Sequence, residues 1–373
     1  MKVSVVIPTY NRADMVVGAI DSVLTQSMGS LEIIVVDDGS TDNTTRALLP
    51  YRNRINYIYT KNQGPASARN RGMLAAKGEY IAYLDSDDIY RPFKLALQCG
   101  LLDQHPDVGM VYTEFSGFDD DGYYDEWHLR HYHASAYSRG GITYEKIFNE
   151  SVPLIDTEYG RKALAGSDSD WLNRRAWFGP LYDQYLFNTL VFTNSMVFRR
   201  SLLESVGLQE PKFGMFHDLE FALRLCREAT AAFIDAPTYL LRYHPGQISG
   251  THSHDFARLM INKQRDLLRV FRAHTRSSSK ATAIDPSRTE QQIARLCRAV
   301  AMPLLAYDQG GSHENRYYPR RARRYLQACT RAGYSERALW ALSFMPHIVR
   351  RAGFKLMRMT AAARQHRTLS PMK

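Results

Sequence analysis

The sequence predicts an α/β protein with a doubly wound, mostly parallel sheet, and three observations carry that expectation. Short β-branched runs alternate with helical periodicities through the first 115 residues, the runs end in polar turns, and those turns are rich in carboxylates. In open α/β sheets ligands bind at the carboxyl ends of strands, so acids gathered there mark a site as well as a fold.

The first run, Lys2 to Pro8, is rich in Val and Ile and opens into Thr9-Tyr10-Asn11-Arg12, a buried strand followed by a loop. Val16, Ile20, Val23 and Leu24 then recur at helical spacing. Leu31 to Val36 gives a second strand, ending in Asp37-Asp38-Gly39-Ser40-Thr41-Asp42, whose small and polar residues suit a tight turn and a helix cap. A third strand is expected over Ile55 to Tyr59, then a turn at Asn62-Gln63-Gly64-Pro65 and a helix carrying Arg69, Asn70 and Arg71. The fourth, Tyr80 to Leu84, runs straight into Asp85-Ser86-Asp87-Asp88, and a fifth is expected at Val108 to Thr113.

That acidic turn has two readings. Asp85 and Asp87 can point together at one hard cation that also holds a diphosphate, or the turn is a solvated cap for the helix after Pro92. Three strand ends supply polar groups of the kind a nucleotide needs: Thr9 and Tyr10, Asp38, and Asp85 to Asp88. No Gly-x-Gly-x-x-Gly or Walker-type turn follows the first strand, so neither NAD nor a P-loop is suggested and something else must neutralise the phosphates; a divalent metal on Asp87 with help from Arg69 would do it.

These motifs resemble those of the family 2 glycosyltransferases, whose fold is named GT-A. Val5 to Arg12, Val36 to Asp42, Asn62-Gln63-Gly64 with Ala68-Arg69-Asn70, and Tyr83 to Asp88 occur in the family's order and spacing, and the likeness extends to about residue 250. The resemblance implies an inverting transfer of a sugar from a nucleotide donor, with Mn²⁺ or Mg²⁺ as cofactor. Carried over by position, it implies that Thr9, Tyr10 and Asp38 contact the base, Arg69 the phosphates or ribose, Asp85 the ribose or sugar, and Asp87 the metal, with Pro8, Arg12 and Ser86 in the donor-binding motifs. Further on, His217-Asp218 stands where the family has Glu-Asp at a helix start, so Asp218 is the implied catalytic base and its neighbour departs from the pattern. A helix N-terminal Asp is also a common cap. Leu241 to Ser249 resembles the closing motif of the fold, in which a histidine, here His244, completes the metal site.

The remaining stretches are less specific. Gly117 to Leu190 is aromatic and Gly-rich, which suits either an acceptor-binding insertion or a second small core. Within it His128, His131 and His133 lack a sulfur or carboxylate partner at zinc spacing and read as ordinary surface histidines. Leu190 to Arg200 returns to strand character. From Ser253 onward helical patterns dominate, over Asp255 to His274, Ile293 to Leu305, Arg321 to Ala332 and Ser335 to Met345, with a Ser-rich joint at Ser277 to Ser279. Three subdomains follow: 1–115 for the nucleotide sugar, 116–252 for the acceptor and base, and 253–373 as a basic helical extension.

Charge separates the last of these from the rest. Residues 253–373 hold 24 of the 48 Lys and Arg but 7 of the 38 Asp and Glu, so this third carries +17 and the remainder −7. The basic, amphipathic end over Ala338 to Met359 suits either an anionic membrane surface or packing on the catalytic domain with its Arg face solvated. It contains no recognisable nucleic-acid module, so no nucleic-acid partner is expected. No run approaches the roughly 18 apolar residues that span a bilayer, and Val3 to Ile7 is too short for a signal peptide, which points to the cytoplasm. Cys99, Cys226, Cys297 and Cys329 are scattered and read as reduced structural thiols.

The expected partners are a UDP-, dTDP- or GDP-sugar and a glycan or lipid-linked acceptor, in synthesis of a cell-surface polysaccharide or other glycan. Two other readings remain: a sugar-1-phosphate nucleotidyltransferase, whose Gly-rich basic loop is missing here, and a GT-A protein that binds glycan without turnover.

Overall fold

The computed structural model describes residues 1–133, 141–167, 169–247, 256–276, 285–306, 314–331 and 336–345. Tyr137 of the aromatic stretch, Ile248 and Ser249 of the closing motif, the joint at Ser277 to Ser279 and the basic end beyond Met345 lie outside the described residues. The chain divides into two compact units, one of residues 1–212 and 217–250, the other of 213–216 and 251–373.

The first unit is built on one sheet. Its strands, in chain order, are β1 Val3–Thr9, β2 Leu31–Asp37, β3 Asn56–Tyr59, β4 Tyr80–Tyr83, β5 Ile89–Tyr90, β6 Val108–Asp119, β7 Tyr124–Asp125, β8 Glu150–Pro153, β9 Arg175–Gly179, β10 Val197–Arg199 and β11 Thr230–Tyr243. The spatial order is β3-β2-β1-β4-β10-β6-β11-β9-β8, with β5 on β11 and β7 on β6. β3, β2, β1 and β4 run parallel, β10 lies antiparallel between β4 and β6, and β6 and β11 are parallel again. This is the mixed, mostly parallel sheet with flanking helices that the resemblance to the GT-A fold implies.

All seven residues of β1 are buried, as an interior parallel strand covered on both faces requires. The helix Ala13–Leu24 lays Val16, Ala19, Ile20 and Val23 against the sheet. On the helix Pro65–Ala75, Gly72 packs so close to β1 that a Cβ there would meet Val6 Cγ1 at 2.2 Å. From β1 the chain builds outward through β2 and β3 on one side and returns to β4 on the other. The strand order therefore switches at β1, and the crevice at a switch point is where such sheets bind ligands.

One expected element differs. Leu190 to Arg200 is not a continuous strand: Thr193–Ser195 forms a 3₁₀ turn and only Val197–Arg199 enters the sheet. The polar side chains of that turn are taken up by the site below, which bends the chain away from the ladder. β6 crosses residue 115, so the sheet is continuous through the expected donor and acceptor subdomains.

The second unit contains the helices Phe256–Arg276, Pro286–Ala306, Glu314–Arg331 and Arg337–Leu342, close to the four expected. Phe271, Cys297, Val300, Leu304, Leu326 and Cys329 are buried among them. All four cysteines are buried and free. Among the described residues, no helix is long and apolar enough to cross a membrane.

Candidate active site

The acidic turn follows β4 directly: Leu84 N–H still donates to Val6 carbonyl on β1, and Asp88 N–H closes the turn on Asp85 carbonyl at 3.1 Å. Its carboxylates then diverge. Asp85 Oδ1 accepts from Arg69 Nη2 at 2.6 Å, whereas Asp87 Oδ2 lies 3.1 Å from His244 Nε2 and 3.9 Å from Arg12 Nε. The expectation that Asp85 and Asp87 share one cation is thus met by two separate partnerships, because the buried Arg69 claims Asp85. Asp88 turns inward. It accepts from Asn194 Nδ2 at 2.5 Å and from Arg242 N–H at 2.9 Å, and burial first, then the charges of Asp87 and Asp85, push its carboxyl well above the ordinary value.

Asp218 opens the helix His217–Glu228, whose Leu219, Ala222, Leu223 and Cys226 form the buried stripe the sequence suggests. The carboxylate stays partly exposed and is held from three directions. Thr193 Oγ1 donates to Oδ2 at 2.6 Å, Leu219 N–H donates to Oδ1 at 2.8 Å, and Arg69 stands nearby as a charge. Burial works to raise the Asp218 pKa; His217, Arg69, Thr193 and the Leu219 amide, in that order, more than offset it and hold the carboxyl below the ordinary aspartate value. Arg69 Nη1 sits 3.1 Å from His217 Nε2, so when that nitrogen accepts, the ring is neutral and Arg69 becomes the principal positive charge. Arg69 thereby touches Asp85 and His217 at once, with Asp218 beside them, while its Nε has no hydrogen-bond partner. That N–H is a buried donor left unsatisfied, which is uncommon for a guanidinium.

The ends of β1 and β2, where the sequence expects the nucleotide, are arranged by backbone. Asp38 is buried, with its carboxylate accepting from Gln63 N–H at 3.0 Å and Gly64 N–H at 2.7 Å, so most of its capacity holds the 62–64 turn. Asp38 N–H in turn donates to Thr9 carbonyl, which ties the end of β1 to that of β2. Gly39 has φ +83, and a Cβ there would stand 2.9 Å from Asn62 N, so only glycine allows the two loops to meet. Pro8 and Thr9 close β1, Thr9 Oγ1 is buried with no partner, Tyr10 is 46% exposed, and Ser86 is buried. Arg12 reaches from this loop to Gly246 carbonyl at 2.6 Å, joining the first motif to the closing one.

Asp87 and His244 present one carboxylate oxygen and one imidazole nitrogen within reach of a common ion, a donor set that fits Mn²⁺ or Mg²⁺ completed by diphosphate and water oxygens. One contact opposes it. Gly246 N–H points at His244 Nδ1 at 3.2 Å, which places the ring proton on Nε2, facing Asp87; ligation through Nε2 requires that proton to leave and the Gly246 contact to open.

Sequence reasoning missed several residues. Thr193 and Asn194 bridge the site: Thr193 holds Asp218, and Asn194, fully buried, holds Asp88 and accepts from Asp85 N–H at 3.2 Å. Behind them Gln98 Nε2 and Lys94 Nζ donate to Ser195 carbonyl at 2.8 and 3.2 Å. Three polar residues interrupting the apolar run from Leu190 to Phe198 were the available clue. The histidine reading is corrected too. His128 and His133 are buried, and Asp125 is the carboxylate partner that zinc-motif spacing did not reveal, 2.8 Å from His128 Nδ1 and 2.5 Å from His131 Nδ1. Of the aromatic residues, Trp171, Tyr182 and Tyr185 are buried core; Tyr132 is 38% exposed.

The sequence profile of glycosyl transferase family 2 matches residues 4–202, more than half of the chain, and the protein belongs to that family. An uncharacterized glycosyltransferase of Rickettsia bellii is 36% identical over 165 residues, 44% of this chain and 23% of that one. Chondroitin synthase of Escherichia coli is 37% identical over 123 residues, 32% of this chain and 18% of its own. The match thus spans less than a quarter of the length of either relative. Among solved structures, S. aureus TarS in complex with UDP-GlcNAc superposes with a TM-score of 0.49 at 18% identity, covering 91% of each chain.

Proposed function

We propose that the protein is an inverting glycosyltransferase that moves a sugar from a nucleoside-diphosphate donor to an acceptor hydroxyl, with Asp218 as general base. The observation that carries this reading is the arrangement around Arg69: one buried guanidinium sits between Asp85, after the end of β4, and Asp218, at the head of the helix His217–Glu228. A base with a lowered pKa is ionised at neutral pH, and Thr193 and Leu219 fix the carboxylate so that its reach to an acceptor proton is set before substrate arrives. The acceptor oxygen attacks the anomeric carbon as Asp218 takes its proton, and the bond to the diphosphate breaks on the opposite face, so one displacement inverts the centre.

Donor binding falls to the ends of β1, β2 and β4. Thr9, Tyr10 and the turn that Asp38 holds flank the base, with Pro8 and Arg12 shaping the first loop; Arg69, Asp85 and Ser86 lie toward the ribose and phosphates. Asp87 and His244 would hold Mn²⁺ or Mg²⁺, which when bound neutralises charge on the departing diphosphate. Residues 116–252 supply the acceptor side, a glycan or lipid-linked acceptor in polysaccharide or related glycan synthesis, as the name of the E. coli relative suggests. The basic C-terminal extension, 253–373, suits peripheral attachment to the inner face of the cell membrane.

The direct test is release of nucleoside diphosphate from a panel of UDP-, dTDP-, GDP- and CDP-sugars, with and without EDTA. Release from one nucleotide class that EDTA abolishes supports the reading. Release of pyrophosphate from a nucleoside triphosphate and a sugar phosphate would instead make the protein a nucleotidyltransferase.

A further inference from the structure

Away from Asp87, a second cluster of metal-ligating groups lies where β6, β7 and β11 meet. Asp125 Oδ2 stands 2.8 Å from His128 Nδ1 and 2.5 Å from His131 Nδ1, and the three ligand atoms lie within 4.8 Å of one another. Tyr123 brings its hydroxyl to 3.2 Å from the same His128 nitrogen, a fourth donor aimed at one point.

The surroundings are built rather than incidental. Gly117 on β6 pairs directly with Asp125 on β7, and the His128 ring lies flat on that glycine, where a Cβ would stand 3.0 Å from ring carbons and 3.1 Å from Nδ1. The His128 ring is boxed edge-on by Phe115, Tyr123, Tyr132 and Tyr243. Its other nitrogen, Nε2, lies 2.8 Å from Tyr243 hydroxyl on β11. When Nε2 carries the proton and donates it to Tyr243, Nδ1 is left with its lone pair toward Asp125, the outer-shell contact that orients a metal-bound histidine. His131, three residues on and therefore on the same helical face, is 68% exposed at its side chain and leaves an entry path from solvent.

We propose that Asp125, His128 and His131, with Tyr123 as fourth donor, form a zinc site that fastens the β6–β7 turn to the helix His128–Tyr132, beside Tyr243 of β11. Two imidazoles and one carboxylate suit zinc better than the hard, oxygen-seeking Mg²⁺ and Mn²⁺. Zinc binds such ligands at about 2.0–2.2 Å, so the hydrogen-bonded donors must part by several tenths of an ångström to admit it, and the exposed His131 can move to bring both imidazoles onto one ion. β7 is two residues long and its ladder to β6 involves only Gly117 and Phe118, so a cation would supply the fastening that its backbone pairing does not.

The test uses the full-length protein stripped with EDTA and dialysed free of it, titrated with ZnCl₂ by calorimetry and followed by thermal melting. To keep the Asp87–His244 pair out of the measurement, the same titration is made on Asp87→Ala. The expected result is one zinc per chain in both proteins, a raised melting temperature, and a tetrahedral visible spectrum when Co²⁺ replaces zinc. His131→Ala and Asp125→Asn should weaken zinc at least 100-fold, while His131→Ala, a change at an exposed side chain, should melt normally without metal. Tyr243→Phe should weaken it about tenfold through the lost outer-shell contact. Absence of stoichiometric zinc, zinc affinity unchanged in His131→Ala, or Mn²⁺ binding as tightly as zinc at this site would overturn the proposal and leave a hydrogen-bonded His–Asp–His cluster.

Discussion

Asp218, the base of the proposed mechanism, is held in part by a hydroxyl three residues into an otherwise apolar run. Thr193 donates to it at 2.6 Å, and hydrogen bonds to charged groups contribute about 1.5–3 kcal/mol. Thr193→Val keeps the shape and removes one of the four partners that offset burial, so the Asp218 pKa rises. A carboxyl whose folded pKa lies below its unfolded value adds stability above the unfolded value and loses it as pH falls through the folded one; Thr193→Val therefore costs stability at neutral pH. The acid limb of the turnover–pH profile should move to higher pH in Thr193→Val and stay in place in Thr193→Ser. An unmoved limb in the valine variant would mean that Thr193 merely packs. Asn194 plays the matching part for the acidic turn: Asn194→Ala leaves Asp88 with one backbone donor and should lower the melting temperature, a loss of about 1–3 kcal/mol for an orphaned buried acceptor.

At the scale of elements, what the sequence made legible were the pieces with a strong period or a strong terminus. β1, β2 and β4 were readable because buried parallel strands are continuous β-branched or aromatic runs, and their ends because Thr9, Asp38 and Asp85 to Asp88 break those runs with polar groups. The 193–195 turn was not, because its neighbours Val191, Phe192 and Val197 are as apolar as a strand's and only distant partners, Asp88 and Asp218, explain the bend. The same holds for the divergence of Asp85 and Asp87, decided by Arg69, 16 residues away in sequence, and by His244, 157 residues away. His128 was unreadable for a related reason: its carboxylate lies on a two-residue strand with no periodicity of its own. Helix-on-sheet packing gives a sharper check. Gly72→Ala would drive a Cβ to 2.2 Å from Val6 Cγ1, and overpacking of this kind costs about 1–3 kcal/mol, so its denaturation midpoint should fall with the m-value unchanged. A midpoint equal to wild type would show that the helix Pro65–Ala75 can slide on β1.

At the scale of the whole molecule, charge is divided as sharply as structure. Residues 1–252, which include the candidate site, carry a net −7, and residues 253–373 carry +17. Each Lys or Arg near an anionic surface contributes about 1 kcal/mol, screened within a Debye length, so the full-length protein should sediment with phosphatidylserine-containing vesicles at low salt and leave them as salt rises. Sedimentation with neutral vesicles alone, or none with anionic ones, would assign the basic residues to solvated helix faces.

The claim on which the rest depends is that Asp218 acts only when the acceptor loses its proton. Asp218→Asn keeps size and polarity but cannot accept that proton at neutral pH, and in the proposed mechanism the donor is held by other residues. With whichever nucleotide sugar the panel identifies, turnover and donor affinity are measured together on this one variant. We predict a turnover loss of about 10²- to 10⁴-fold with donor affinity little changed, the span expected for removal of a general base. Near-wild-type turnover with a slightly lowered melting temperature, the behaviour of a helix cap exchanged for another good cap, would contradict it.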